Sequence, residues 1–108
     1  MPSLRVLIVE DNPLDAELVL RELRRSGFEP VWHRVDTEVE FLAHIQDGPE
    51  IILSDYEMPQ FSGPRALELL GNSGLEIPFI IISGTIGEDV AVEVMKLGAA
   101  DYLLKDRL

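Results

Sequence analysis

Apolar residues occur along this chain in short unbroken runs, separated by longer segments with helical periodicity. Four strong runs cover residues 6–9, 51–53, 79–82 and 102–104, and a weaker run covers residues 30–34. An unbroken apolar run is typical of a strand buried on both faces of a parallel sheet, whereas alternation marks a half-exposed strand. The pattern therefore predicts buried strands at the strong runs and an edge strand at the weaker one.

The segments between the runs carry signals for the start and end of a helix. Asn12 followed by Pro13 starts the first helix, and Gly27 ends it. Asparagine caps free backbone amides, and proline is well suited to the first turn. The remaining helices are predicted over residues 37–47, 62–70 and 87–97. Strands and helices then alternate about every 25 residues, as in right-handed βα units.

This alternation predicts an α/β fold in which an open, doubly wound parallel sheet carries helices on both faces. A closed barrel of the same units needs about 250 residues, whereas the chain has 108. We therefore expect residues 1–108 to form a single domain.

Composition excludes several classes of function. The net charge of −11 disfavours binding to nucleic acid or to an anionic membrane, because both surfaces would repel the protein. The absence of cysteine excludes disulfides, thiolate metal sites and a thiol nucleophile. No apolar run approaches the length needed to span a bilayer. These features predict a cytoplasmic protein without membrane insertion or direct nucleic-acid binding.

Polar side chains follow the predicted strands, at the sheet edge where open α/β folds bind ligands. Glu10 and Asp11 follow the first run, and Asp55, Ser83 and Lys105 follow the later strong runs in turn. Carboxylates brought so close together need a counter-charge to stay ionised. Mg²⁺ prefers oxygen ligands and suits a set without cysteine or histidine. With Mg²⁺ and a lysine present, one carboxylate can attack a phosphoryl group.

The residues around these positions resemble the receiver domain of two-component response regulators. The similarity extends from Leu4 to Lys105 and is carried by the segments 9–12, 53–59 with Gly63, 82–84 and 98–105. It implies a flavodoxin-like sheet of strand order 2-1-3-4-5 and a signalling role in a phosphorelay. The resemblance implies a signalling receiver that catalyses its own phosphoryl transfer and slow autodephosphorylation. It does not imply a metabolic enzyme.

The resemblance implies that Asp55 is the phosphoacceptor. The phosphoryl group would come from a phosphohistidine on a sensor histidine kinase or a histidine phosphotransfer protein. It implies that Glu10, Asp11 and Asp55 bind Mg²⁺ through their carboxylates, and that Glu57 contributes its backbone carbonyl.

The resemblance also assigns roles around the phosphoryl group. It implies that Ser83 donates a hydrogen bond to that group and that Lys105 forms an ion pair with it. Tyr102 matches the aromatic residue that switches together with the hydroxyl of Ser83. Glu57 and Thr85 flank the approach of the hydrolytic water and are expected to tune the lifetime of the acyl phosphate.

Two features depart from the family pattern. Lys105 is followed by Asp106 where the family has proline, and we expect a trans peptide bond because a cis bond before a non-proline residue costs about 2.5–4 kcal/mol. The printed chain stops soon after Lys105, where the family has a fifth helix, so the final helix is expected to be missing. Its absence would expose apolar side chains of residues 51–53, 80–82 and 103–104, so we expect either a homodimer that covers this face or a longer chain of which these residues are a part.

Other functions share parts of this chemistry. A Mg²⁺-dependent phosphatase or phosphotransferase would use an aspartyl nucleophile, but the Asp-x-Asp motif and a substrate cap are lacking. A flavin-binding electron carrier would share the fold, but Glu10 and Asp11 would repel a flavin phosphate. A receiver-like interaction module that is never phosphorylated remains an alternative, against which Asp55 and Lys105 count.

Overall fold

The computed structural model describes residues 2–84 and 87–107, which form one five-stranded parallel sheet with four α-helices. The strands are β1 (Ser3–Val9), β2 (Glu29–Val35), β3 (Ile51–Asp55), β4 (Phe79–Ser83) and β5 (Asp101–Leu104). The helices are α1 (Pro13–Arg25), α2 (Glu38–Ile45), α3 (Gly63–Ser73) and α4 (Glu88–Lys96), and a 3₁₀ turn (Lys105–Arg107) follows β5. Within these residues no helix is both long and apolar enough to cross a bilayer.

The strand order is β2-β1-β3-β4-β5, which confirms the doubly wound topology. The weak apolar run forms β2 at one edge, as predicted, and β5 forms the other edge. The register pairs Val9 with Ser54, Asp55 with Ile82, and Ser83 with Leu104. The carboxyl ends of β1, β3, β4 and β5 therefore lie side by side.

The sheet separates two apolar layers, because successive side chains of a strand point to opposite faces. The larger layer packs β-strand residues against α2, α3 and α4, and includes Phe41, Leu67 and Val94. The smaller layer packs the other face against α1 through Ala16 and Leu20. The sheet is thus held rigidly from both sides, which fixes the residues at its carboxyl edge.

The face that carries α1 is less open than the sequence suggested. Leu53 and Ile82 on this face are only 6% and 4% exposed, whereas Leu103 is 39% exposed. Ile52 and Ile81 were expected to contribute to the open patch, but they lie in the opposite layer because side chains alternate. What remains is an apolar groove of about 140 Å³ beside α1. Pairing of two copies through this groove stays a prediction.

Capping side chains explain where the helices begin. Asn12 Oδ1 accepts the amide of Leu14 at 2.9 Å and starts α1 as predicted. Ser62 Oγ accepts the amide of Arg65 at 3.1 Å and starts α3. Helix α3 continues three residues beyond the predicted end at Leu70. It stops at Gly74, whose φ of +78° is left-handed.

Gly63 permits a close approach of α3 to the end of β3. A Cβ atom at this position would lie 2.7 Å from the backbone oxygen of Asp55 and 2.8 Å from Cδ1 of Ile81. Both neighbours belong to the sheet and cannot move aside freely. Glycine is therefore required here by packing, which accounts for its presence at the start of α3.

We predict that Gly63→Ala lowers the free energy of unfolding by about 1–3 kcal/mol, the usual penalty for overpacking a close contact. Urea denaturation measures the change. Gly71→Ala in the same helix is the matched control, because a Cβ there meets no heavy atom within 4 Å. Alanine favours a helix over glycine, so this control should equal or exceed wild type by up to about 1 kcal/mol. Wild-type stability of Gly63→Ala would contradict the prediction.

Candidate functional site

The carboxyl edge of the sheet brings together most of the side chains singled out in the sequence. Asp55 and Ser83 are the last residues of β3 and β4, while Glu10 directly follows β1 and Lys105 directly follows β5. Beside them lies an open cleft of about 480 Å³. The cleft is lined by Asp55, Tyr56, Glu57, Ser83, Gly84, Gly87, Val90 and Lys105.

The ammonium group of Lys105 lies among three carboxylates. Its Nζ atom is 2.8 Å from Asp15 Oδ2, 3.1 Å from Glu10 Oε1 and 3.5 Å from Asp55 Oδ2. The Glu10 side chain is only 5% exposed, and those of Asp55 and Lys105 are 13% and 20% exposed. Partial burial makes these charge interactions stronger than those of surface ion pairs.

Three carboxylates at this edge can converge on a metal ion. One oxygen each from Glu10, Asp11 and Asp55 lies within 4.8 Å of the others. Glu10 Oε2 is buried and has no hydrogen-bond partner among the described residues. A buried acceptor without a partner is costly, and a bound cation would satisfy it. The donors are all oxygens, so the set fits a hard cation such as Mg²⁺.

The charges at this edge shift one another's ionisation. Burial raises the pKa of Glu10 to about 8, and the neighbouring Asp55 carboxylate adds to the effect. Burial alone would lower the pKa of Lys105, but its bonds to Asp15 and Glu10 raise that pKa well above the ordinary range. The hydrogen bond from Lys105 lowers the pKa of Asp15. The edge therefore holds an ammonium group that its carboxylate partners stabilise, beside the Glu10 carboxyl group, whose charged form is disfavoured by burial.

Backbone bonds hold the loop after Asp55. Asp55 Oδ1 accepts the amide of Tyr56 at 2.9 Å, while Oδ2 faces Lys105. The carbonyl of Tyr56 accepts the amide of Gly63 at 2.8 Å. Glu57 belongs to the loop that these hydrogen bonds hold, and its exposed side chain lines the cleft. The loop thus fixes the Asp55 carboxylate with one oxygen engaged and the other directed to the ammonium.

Of the remaining predicted residues, Ser83 and Tyr102 lie near the same cleft, and Thr85 belongs to the part of the chain that the structure does not describe. Ser83 is buried at the end of β4. Tyr102 on β5 packs against the larger apolar layer. Burial raises the pKa of its hydroxyl, and the Ser83 side chain partly offsets this rise. The Lys105–Asp106 peptide bond is trans, as predicted.

Asp15 is the site residue that the sequence analysis missed. An acidic residue in the first turn of a helix is usually solvated and favoured by the helix dipole. Asp15 lies 90 positions from Lys105 in the sequence, yet it makes the shortest of the three ion-pair contacts to its Nζ. Helix α1 begins beyond the carboxyl end of β1, and Lys105 follows the carboxyl end of β5. The two residues come together because these strand ends lie at the same edge of the parallel sheet. The available signal was its position in the first turn of α1, five residues after Glu10, where the chain is still close to the same edge of the sheet.

Comparisons with known proteins agree with this geometry. The sequence profile of the response regulator receiver domain matches residues 6–107. The two-component response regulator ORR21 of Oryza sativa subsp. indica is 31% identical over 104 residues, which cover 95% of this chain and 15% of that protein. This chain therefore spans only a small part of that relative's length.

Solved structures share the architecture as well. The receiver domain of the response regulator NarL from Mycobacterium tuberculosis superposes with a TM-score of 0.83 and 30% identity, covering 98% of this chain and 86% of that one. The Mn²⁺-bound form of the response regulator Rcp1 superposes with a TM-score of 0.79 and 26% identity, covering 97% and 83%.

We predict that Glu10→Gln stabilises the metal-free protein at pH 8. The folded protein holds the Glu10 proton up to a pKa of about 8, whereas the ordinary value is 4.5. Because the folded state then binds more protons than the unfolded state, the free energy of unfolding falls as pH rises between these values. Glutamine carries no charge and removes this loss. Urea denaturation at pH 5 and pH 8 without divalent cations measures the difference.

The same variant should lose stabilisation by Mg²⁺, because ligands that bind only the folded state raise its stability. Glu17→Gln is the control, since Glu17 is an exposed acid on α1. It should keep both the wild-type pH dependence and the response to Mg²⁺. A Glu10→Gln protein that is less stable than wild type at pH 8, or equally stabilised by Mg²⁺, would refute the prediction.

Proposed function

The chain belongs to the family of response regulator receiver domains, which act in two-component signalling, and we propose that Asp55 is its phosphoacceptor. The phosphoryl group comes from a phosphohistidine on a sensor histidine kinase or a histidine phosphotransfer protein. The observation that supports this most strongly is the placement of the Asp55 carboxylate. It lies at an open cleft, 3.5 Å from the Lys105 ammonium and within metal-binding reach of Glu10 and Asp11.

The proposed transfer forms an acyl phosphate on Asp55. Oδ2 bonds to phosphorus, the P–N bond of the donor phosphohistidine breaks, and the imidazole nitrogen keeps the electron pair. Asp55 Oδ1 meanwhile remains bonded to the amide of Tyr56, which fixes the plane of the carboxylate. Such positioning of the nucleophile removes much of the entropic barrier to attack.

The residues around Asp55 have separate roles in the proposal. Lys105 stabilises the negative charge on the phosphoryl oxygens, and Ser83 donates a hydrogen bond to one of them. Glu10, Asp11, Asp55 and the backbone carbonyl of Glu57 hold Mg²⁺, which supplies further neutralisation of that charge. The Mn²⁺-bound form of Rcp1, a structural neighbour, supports a divalent cation in this fold.

We predict that the protein gains one phosphoryl group when incubated with acetyl phosphate and Mg²⁺, and that Asp55→Asn gains none. Asp11→Asn should lose most of the Mg²⁺-dependent rate, because it removes one ligand charge. Intact-mass spectrometry measures both. The matched control is Asp47→Asn, an exposed aspartate after α2 that should behave like wild type. Phosphorylation of Asp55→Asn, or a wild-type rate in Asp11→Asn without metal, would contradict the assignment.

We also propose that Ser83 and Tyr102 carry the signal. Ser83 ends β4 and Tyr102 lies on the neighbouring strand β5, and the Ser83 side chain lowers the pKa of the Tyr102 hydroxyl that burial raises. A hydroxyl drawn toward the phosphoryl oxygens would vacate space that the tyrosine ring can fill. The partner surface is then formed by α4, β5 and the loop between them. Such a switch is a local charge change acting on a two-state element.

We predict that the ring resonances of Tyr102 shift when beryllium fluoride occupies the phosphoryl position, because the ring changes its surroundings. In Ser83→Ala the shift should be largely lost, since the hydroxyl that moves is absent. NMR of ring-labelled protein measures both variants. Identical Tyr102 spectra in the free and beryllium fluoride-bound wild type would rule out this switch.

We further propose that Glu57 influences hydrolysis of the acyl phosphate, in which water attacks phosphorus and the bond to Asp55 breaks. Its exposed carboxylate lines the cleft through which water reaches Asp55. Thr85 is proposed to share this role.

Accordingly, Glu57→Ala should change the half-life of phosphorylated Asp55 by at least a few-fold while the circular dichroism spectrum stays unchanged. Decay of the phosphorylated mass with time gives the half-life. Glu76→Ala, which removes an exposed acid before β4, should keep the wild-type half-life. Equal half-lives for Glu57→Ala and wild type would refute the role of Glu57.

A further inference from the structure

Lys105 has one carboxylate partner that stands outside the proposed metal site. Its Nζ atom contacts Asp15 Oδ2 at 2.8 Å, and this is shorter than its contacts to Glu10 and Asp55. Glu10 and Asp55 belong to the cluster whose oxygens converge for a cation, whereas Asp15 does not. The three carboxylates that surround the ammonium therefore fall into two groups.

A divalent cation on Glu10 and Asp55 would change the balance around Lys105. It would neutralise both carboxylates and repel the ammonium, because two cations would then share the same small region. Asp15 would keep its full charge and its contact with Nζ. Of the three partners, Asp15 alone can still attract Lys105 when the metal is bound.

The fold holds Asp15 firmly in this position. It lies in the first turn of α1, which is capped by Asn12 and anchored in the core through Ala16. The helix dipole favours a carboxylate in this turn. Lys105 approaches from the end of β5, and its Nζ lies at an ion-pair distance from both Asp15 and Asp55. Asp15 thus holds the ammonium beside the phosphoacceptor.

We infer that Asp15 is a positioning residue that keeps Lys105 beside Asp55 while the metal is bound. The inference rests on the proposed phosphoacceptor function. Asp15 does not touch the phosphoryl group. It acts through Lys105, whose ammonium would otherwise be displaced from the cleft by the cation. Asp15 should therefore affect the rate of phosphorylation only when Lys105 is present.

A double-mutant cycle tests this dependence. Phosphorylation by acetyl phosphate with saturating Mg²⁺ is measured for wild type, Asp15→Asn, Lys105→Ala and the double variant. Loss of an electrostatic stabiliser such as Lys105 is expected to slow the reaction roughly a hundredfold. We expect Asp15→Asn to slow it about tenfold, a part of that effect, and to have no further effect in the Lys105→Ala background. Asp15→Glu should restore much of the rate.

Two controls separate positioning from a general charge or folding effect. Glu17→Gln removes one negative charge from an exposed position on the same helix and should leave the rate unchanged. If Asp15→Asn slows both backgrounds equally, or if Glu17→Gln has the same effect, Asp15 does not act through Lys105. A wild type that gains no phosphoryl group would instead contradict the proposed function itself.

The side-chain NMR signal of the Lys105 ammonium tests the contact independently of phosphorylation. The chain contains only two lysines, Lys96 and Lys105, and the exposed Lys96 provides an internal reference. With Mg²⁺ bound, the Lys105 ammonium should give a slowly exchanging signal that Asp15→Asn removes and Asp15→Glu retains. An unchanged Lys105 signal in Asp15→Asn would overturn the inference even if the wild type is phosphorylated.

Discussion

A carboxylate buried away from water must be compensated by a cation or must keep a proton. Glu10, at the carboxyl edge of the sheet, is subject to this constraint. Its side chain is almost fully buried, one of its oxygens contacts Lys105, and the other has no partner in the described structure. Asp55 lies beside it. The arrangement is unfavourable as a purely structural element, and the proposed binding of a divalent cation and a phosphoryl group would offset its cost.

The rest of the fold maintains this arrangement. Two apolar layers clamp the sheet, so the strand ends cannot spread to relieve the repulsion. Gly63 lets α3 approach the backbone of Asp55, and the bond from the Tyr56 amide fixes one oxygen of its carboxylate. Helix α1 contributes Asp15 as the remaining counter-charge to Lys105. Packing elsewhere in the fold thereby offsets the unfavourable free energy of the charges at the carboxyl edge, as is common at functional sites.

Sequence patterns predicted the parts of this structure that depend on local chemistry. Unbroken apolar runs located the strands, and Asn12 and Ser62 located helix starts, because strand burial and capping leave marks in neighbouring residues. Convergence of Glu10, Asp55 and Lys105 followed from parallel strand ends. The sequence did not reveal Asp15, because the residue it contacts, Lys105, is distant along the chain. It also placed Ile52 and Ile81 on the wrong face, because an unbroken run gives no alternation from which to assign sides.

We propose that Glu10 retains a proton until a cation replaces it. Isothermal titration of Mg²⁺ into the protein at pH 7, repeated in buffers with different ionisation enthalpies, counts the protons released on binding. With the pKa of Glu10 at about 8 in the metal-free state, we predict release of close to one proton per Mg²⁺ bound. Binding of Mg²⁺ without proton release, or release that persists unchanged in Glu10→Gln, would contradict it.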